Sequence, residues 1–312
     1  MYWPFFRSKQ EELLALRELG VSSLVDDRVV PIIKPHSSGN RVEGQLDKVL
    51  NTGLRIALVL NTDEGSPIPQ PKDIVSMEVR LSRKYPGKIF PAFEVRNNTT
   101  SSDITSFISV YPGRNIVFIH REHNHNAALF SHILAINVFD AKHLSANFVS
   151  QLSGYKVLLR DGFQRQTPNG NYPVTSNFAS DLYSYVNQGF HGFGDYASIG
   201  DVKAAKGGGA ASHVALHLTE VLASKNIICH HFVSSINSGT NPIHLLYDDA
   251  IKKLIQITGN PGSGFFTTEG VADYCANPAH YPGLGHPKRW STKHHVEWVC
   301  NQLNHMSAQA WV

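Results

Sequence analysis

Arg7, Lys34, Asn61, Glu94, His120, Asp140, Arg160 and Asp195 each directly follow a short, mostly apolar run. The runs cover residues 2–6, 29–33, 56–60, 89–93, 116–119, 136–139, 157–159 and 192–194. Brought together, these side chains could hold an anion and move a proton. Arg7, Lys34, Asn61, Arg160 and Asp195 are the candidate ligand-binding residues, with the bases carrying the anion. Glu94, His120 and Asp140 are the candidate catalytic groups for proton transfer. A set that mixes bases, acids and an imidazole differs from a metal-only pattern. The competing reading is a structural ion-pair layer, in which neighbouring opposite charges compensate one another's burial.

The elements needed to gather these groups are repeated strand–helix units. Segment 29–33, Val-Val-Pro-Ile-Ile, reads as a buried parallel strand. Ser8-Lys9-Gln10-Glu11 reads as a capping box opening a helix that Gly20 stops. Further helices are expected near 42–50, 73–84, 103–110, 127–134, 143–152 and 178–188. The fold class is therefore α/β, a (β/α)8 TIM-type barrel, whose chemistry lies at the carboxyl ends of its strands. Within each strand alternate residues share a side, so Ile32 goes with Lys34, Ala92 with Glu94, Phe118 with His120, Val138 with Asp140 and Leu158 with Arg160. If these parities agree between strands, the polar members converge in the barrel mouth. After the eighth strand the alternation of Val214, Leu216 and Leu218 and the run 227–233 predict a β-hairpin insertion at about 212–234. Segment 242–257 reads as the last barrel helix. The expected division is a barrel over 1–258, hairpin included, and a loop-rich tail with a C-terminal helical extension over 259–312.

The chain has 312 residues, is 42% hydrophobic and carries a formal charge of +3. Its bases are scattered among acids, which argues against general nucleic-acid binding. No apolar run approaches the ~20 residues of a membrane span. Its 3 cysteines, Cys229, Cys275 and Cys300, are too few and too far apart for a disulfide framework. A cytoplasmic protein without membrane association is expected. The 17 histidines are many. For a metal the first candidates are His120, His123 and His125, with Asp140 and Asp195 as carboxylates, although their spacing matches no closed site and no metal is assigned. Cys229 and His230 are adjacent and so should face opposite ways. Lys203 to Lys206 with Gly207, Gly208 and Gly209 reads as a lid or a weak anion cradle. No particular cofactor is indicated.

The opening Tyr2-Trp3-Pro4-Phe5-Phe6-Arg7, the segment Pro31-Ile32-Ile33-Lys34-Pro35 and the motif Gly192-Phe193-Gly194-Asp195-Tyr196 resemble the Beta-protein family. That prokaryotic and phage group is related to the phage protein that counteracts the killer protein Gop. Ile199-Gly200-Asp201, Ala215-Leu216-His217-Leu218 and His230-His231-Phe232 are similar in character. The resemblance implies one barrel-like domain in an anti-phage defence module, acting with a protein partner from a neighbouring gene. It supplies no catalytic residues. Taken with the charged strand ends, the expected function is binding of a small anionic ligand, a nucleotide being one candidate. Two alternatives stay open. One is a stand-alone hydrolase or lyase acting on a phosphorylated or sugar-like substrate. The other is an antitoxin-like binding protein without catalysis.

Overall fold

A computed structural model describes residues 1–122, 127–201, 212–237, 239, 241–259, 265–278, 281–283 and 285–309. By its contacts the chain falls into two units, 1–160 with 181–195, and 161–180 with 196–312. This division differs from the expected one at residue 258. No helix among the described residues is long and apolar enough to cross a membrane.

The first unit is built on eight parallel strands. They are β1 (Phe5–Phe6), β2 (Ile32–Ile33), β3 (Ile56–Val59), β4 (Ile89–Val95), β5 (Val117–His120), β6 (Ile136–Asp140), β7 (Tyr155–Leu159) and, after a strand of the other unit, β9 (Gly192–Gly194). Each hydrogen-bonds to the next in that order. The last returns to the first, since Trp3 N donates to Phe193 O at 2.8 Å and Phe5 N to Asp195 O at 2.8 Å. The result is a nearly closed, all-parallel barrel flanked by helices, consistent with a (β/α)8 barrel. Its central strands are rich in Val, Ile, Leu and Phe because both of their faces are buried.

Helices α1 (Gln10–Val21), α2 (Asn40–Leu50), α3 (Pro71–Lys84), α4 (Ser101–Val110), α5 (Ala146–Gln151) and α6 (Asp181–Ser184) connect these strands. Two local expectations are corrected. The cap of α1 is supplied by Glu12, whose carboxylate accepts from Arg7 N at 2.7 Å and Lys9 N at 3.1 Å. Ser8 cannot serve, because it sits at φ 55° with its hydroxyl bonded to His36. The helix expected over 127–134 is only a 3-10 turn, Ala127–Leu129; Leu134 is exposed, so the segment has no continuous apolar stripe.

The second unit holds an antiparallel sheet of β8 (Thr175–Asn177), β10 (Ala215–Val221) and β11 (Ile227–Val233), in the order β10-β11-β8. The alternation in 214–218 thus marks a real strand pair, joined by a third strand that sequence reading missed. Helix α7 (Ile243–Thr258), expected as the last barrel helix, instead buries Leu246, Tyr247, Ile251 and Leu254 against Val214, Leu216, Leu218 and Phe232 of this sheet. Helices α8 (Glu269–Ala276) and α9 (Gly285–Gln309) complete the unit.

Candidate ligand site at the strand ends

Side chains at paired positions of neighbouring strands share a face, so the register decides which groups meet. Val59 pairs with Ala92, which places Lys34 and Asn61 on the same side as Glu94. Glu94 pairs with Ile119, Ile119 with Val138, and Asp140 with Leu159. Arg7, Lys34, Glu94 and Asp140 therefore line one face at the carboxyl ends of the strands.

Lys34 and Glu94 form the centre. Lys34 Nζ donates to Glu94 Oε2 at 2.8 Å and lies 2.5 Å from Asp63 and 3.4 Å from Glu64. Arg7 Nε reaches Glu64 at 2.9 Å. Arg96 donates to the same Glu94 oxygen that Lys34 contacts. Arg121 links Glu94, at 4.0 Å, to Asp140, at 3.2 Å. Asn61 acts on the backbone: its Nδ2 donates to Glu94 O and its Oδ1 accepts from Glu94 N, both at 2.8 Å. It fixes the strand position that carries Glu94.

The charges of Arg7, Lys34, Arg96 and Arg121 balance those of Asp63, Glu64, Glu94 and Asp140. Burial pushes the Glu94 carboxyl upward, but Lys34, Arg121 and Arg96 outweigh it and hold the group below its usual range. Glu94 is thus ionised and can accept a proton but not supply one. The network is graded in exposure. The side chains of Glu94 and Lys34 are only 1% and 4% accessible, whereas those of Arg96 and Asp63 are 22% and 41% accessible. Glu94 Oε1 accepts no hydrogen bond among the described residues. On the helix side of these strand ends, between α3 and α4, Leu60, Phe93, Phe107 and Tyr111 line part of a cavity of about 430 Å³, which Asn61 and Arg96 also reach. That volume lies within the range of small-molecule sites.

Three expected members lie elsewhere. His120 pairs with Val95 and Phe139, so it faces away from Glu94. It is buried against Phe130, Phe139 and Phe148, with Nε2 3.0 Å from Asn137 Oδ1. Arg160 follows the inward Leu159 and turns outward to Asp181, 2.7 Å away. Asp195 accepts from Tyr2 Oη at 2.7 Å. Burial, and then the Asp195 carboxylate, push the Tyr2 hydroxyl well above its usual range, so it remains a donor. His123, His125, Lys203 to Lys206 and Gly207 to Gly209 lie outside the described residues. With His120 on the opposite face, the metal set built on it loses its centre.

The residues that sequence reading missed are Asp63, Glu64, Arg96 and Arg121. Asp63 and Arg96 stand two positions beyond Asn61 and Glu94, so extending the alternation past each strand end would have found them. The Arg160–Asp181 pair is partly exposed, and such pairs contribute at most about 1 kcal/mol. Arg160→Gln is accordingly expected to leave both the chemical-denaturation midpoint and any ligand affinity close to wild type. A loss of binding would place Arg160 back in the site. No protein-family model matches the chain, and no curated protein sequence matches it.

Proposed function

We propose that this protein is the ligand-binding component of a phage–host conflict module. It holds a small anionic ligand, such as a nucleotide, at the strand ends and acts with a protein partner. The partner and the biological setting rest on the resemblance to the Beta-protein family. The ligand rests on one observation: Arg96 bonds the buried Glu94 and also lines the 430 Å³ cavity. Asp63 is the most exposed acid on Lys34, and it also contacts Arg96 at 3.4 Å. In this reading Asp63 occupies the position that a ligand's anionic group would take, keeping the bases compensated until a ligand displaces it. Phe107 and Tyr111, in the helix-side cavity that Arg96 reaches, offer an apolar wall to the rest of the ligand.

The test is titration calorimetry with inorganic phosphate and with ATP. Asp63→Asn removes the competing carboxylate and should tighten anion binding by about tenfold, equivalent to ~1.4 kcal/mol. Arg96→Gln should abolish binding, and protection in a phage-challenge assay with it. No binding by either Asp63→Asn or wild type would remove the ligand. Protection that survives Arg96→Gln would favour the antitoxin-like reading, with the strand ends as scaffold.

A hydrolase or lyase remains the second reading because Glu94 keeps one oxygen without a hydrogen bond. As an ionised carboxylate it would serve as the base. His120, on the other face, has no part in that scheme. Turnover of a phosphorylated substrate by wild type and its loss in Glu94→Gln would select this reading.

A further inference from the structure

On the second unit's sheet, His217 of β10 stands directly opposite His231 of β11. Cys229 lies two residues before His231, so the three side chains share one face. The Nδ1 atoms of His217 and His231 are 2.8 Å apart, and Cys229 Sγ is 4.0 Å from His231 Nδ1. All three donor atoms lie within 4.8 Å of one another. Cys229 and His231 are buried and His217 is partly buried. Ser176 of β8, paired with Cys229, places its Oγ 2.8 Å from His231 Nε2. The ring of Tyr172 stacks on His231, and Phe163 packs edge-on to His217.

We propose that His217, Cys229 and His231 bind one borderline-soft divalent cation, zinc above all. Two imidazoles and a thiolate suit zinc, whose bonds of about 2.0–2.3 Å put tetrahedral ligands roughly 3.3–3.6 Å apart. The His217–His231 spacing of 2.8 Å and the Cys229–His231 spacing of 4.0 Å each lie about 0.5 Å from that range. Ser176 supplies the partner that a ligating imidazole normally has on its second nitrogen: accepting from Nε2–H leaves the Nδ1 lone pair for the metal. Burial, the neighbouring His231 and Lys288 lower the His217 pKa to about 3, and burial with His230 lowers that of His231 to about 4. Both rings are thus neutral at physiological pH, as ligands must be. Without a metal His217 and His231 share an imidazole–imidazole hydrogen bond, while the Cys229 thiol, whose pKa burial pushes up, reaches only His230 O at 3.7 Å and His231 Nδ1 at 4.0 Å among the described residues. Among the described residues no fourth His, Cys, Asp or Glu joins the group. The remaining tetrahedral position is therefore left to water or an incoming ligand, the arrangement of an open rather than a closed zinc site.

The test uses cobalt(II) as a spectroscopic substitute, titrated into the reduced 312-residue chain. One ion per chain should give tetrahedral d–d bands and a near-ultraviolet thiolate-to-cobalt band, both displaced by zinc. Cys229→Ser should remove the thiolate band, and Cys275→Ser, at an exposed thiol, should leave it unchanged. Ser176→Ala should weaken affinity by about 10–100-fold while the spectrum keeps its shape. No thiolate band in wild type, or one that survives Cys229→Ser, overturns the proposal. Should Cys229→Ser not fold, X-ray absorption on the wild-type cobalt complex decides: one sulfur and two imidazoles support the site, and absence of sulfur refutes it.

Discussion

Glu94→Gln is expected to lower stability by about 3–5 kcal/mol, because it leaves buried bases short of an anion. Lys34 is the most affected, being 4% accessible and bonded to Glu94 at 2.8 Å. For a chain of 312 residues each kcal/mol shifts the melting temperature by roughly 1–2 °C. Calorimetry beside Arg160→Gln, which alters a partly exposed pair, isolates the effect of burial. The pH dependence follows from the same contacts. The Glu94 carboxyl is held below its ordinary value of 4.5, so its contribution is fully present above that value and is lost as the pH falls through the folded one. The gap between wild type and Glu94→Gln should therefore narrow on acidification below pH 4.5. A variant that melts as wild type at neutral pH would mean that Lys34, Arg96 and Arg121 rehydrate freely. The buried end of the network at Glu94 and Lys34, and not only Arg96 and Asp63, would then be open to water.

Gly194→Ala should be nearly as damaging, for a steric reason. A Cβ there would lie 2.1 Å from Trp3 O and 2.9 Å from Trp3 C, both backbone atoms of the first barrel segment. Backbone cannot rotate away as a side chain can, so the methyl group must push the seam apart. Overpacking of this kind costs about 1–3 kcal/mol, sometimes more. The Trp3 and Phe5 amides, which donate to Phe193 O and Asp195 O across that seam, should lose hydrogen-exchange protection first. Gly44→Ala in α2 is the control: nothing lies within 4 Å of its added carbon. There alanine should stabilise by about 0.5–1 kcal/mol through helix propensity. Unchanged protection at Trp3 and Phe5 in Gly194→Ala would show that the seam does not need the glycine.

The strands were legible because burial on both faces writes a continuous apolar run that stops at the first charged residue. Val138 with Asp140, and Ala92 with Glu94, fell on common sides as alternation requires. What the sequence does not carry is the offset between neighbouring strands. Glu94 pairs with Ile119 rather than His120, and that single-residue step turns His120 into the helix layer. The same step separates Leu159 from Arg160. Helix α7 announced its apolar stripe clearly, yet amphipathicity does not say which sheet the stripe will cover. Likewise, alternation alone separates Cys229 from His230 and sets it with His231. Only the pairing of β10 with β11 adds His217.

The seam also imposes a schedule on the ribosome. Tyr2 and Asp195 are 193 positions apart. At about 5–20 residues per second, the first strand emerges roughly 10–40 s before its partner has been translated. Throughout that interval the edge of β1, at Phe5 and Phe6, that the last strand later covers has no strand beside it. An exposed edge of this kind is a template for pairing with another chain. Segment 161–180 waits as well, because β8 pairs with β11, which is translated later. Nascent-chain capture should accordingly find the amino-terminal strand accessible until residue 195 has left the exit tunnel, and yield in a heterologous host should respond to holdase chaperones more than to growth temperature.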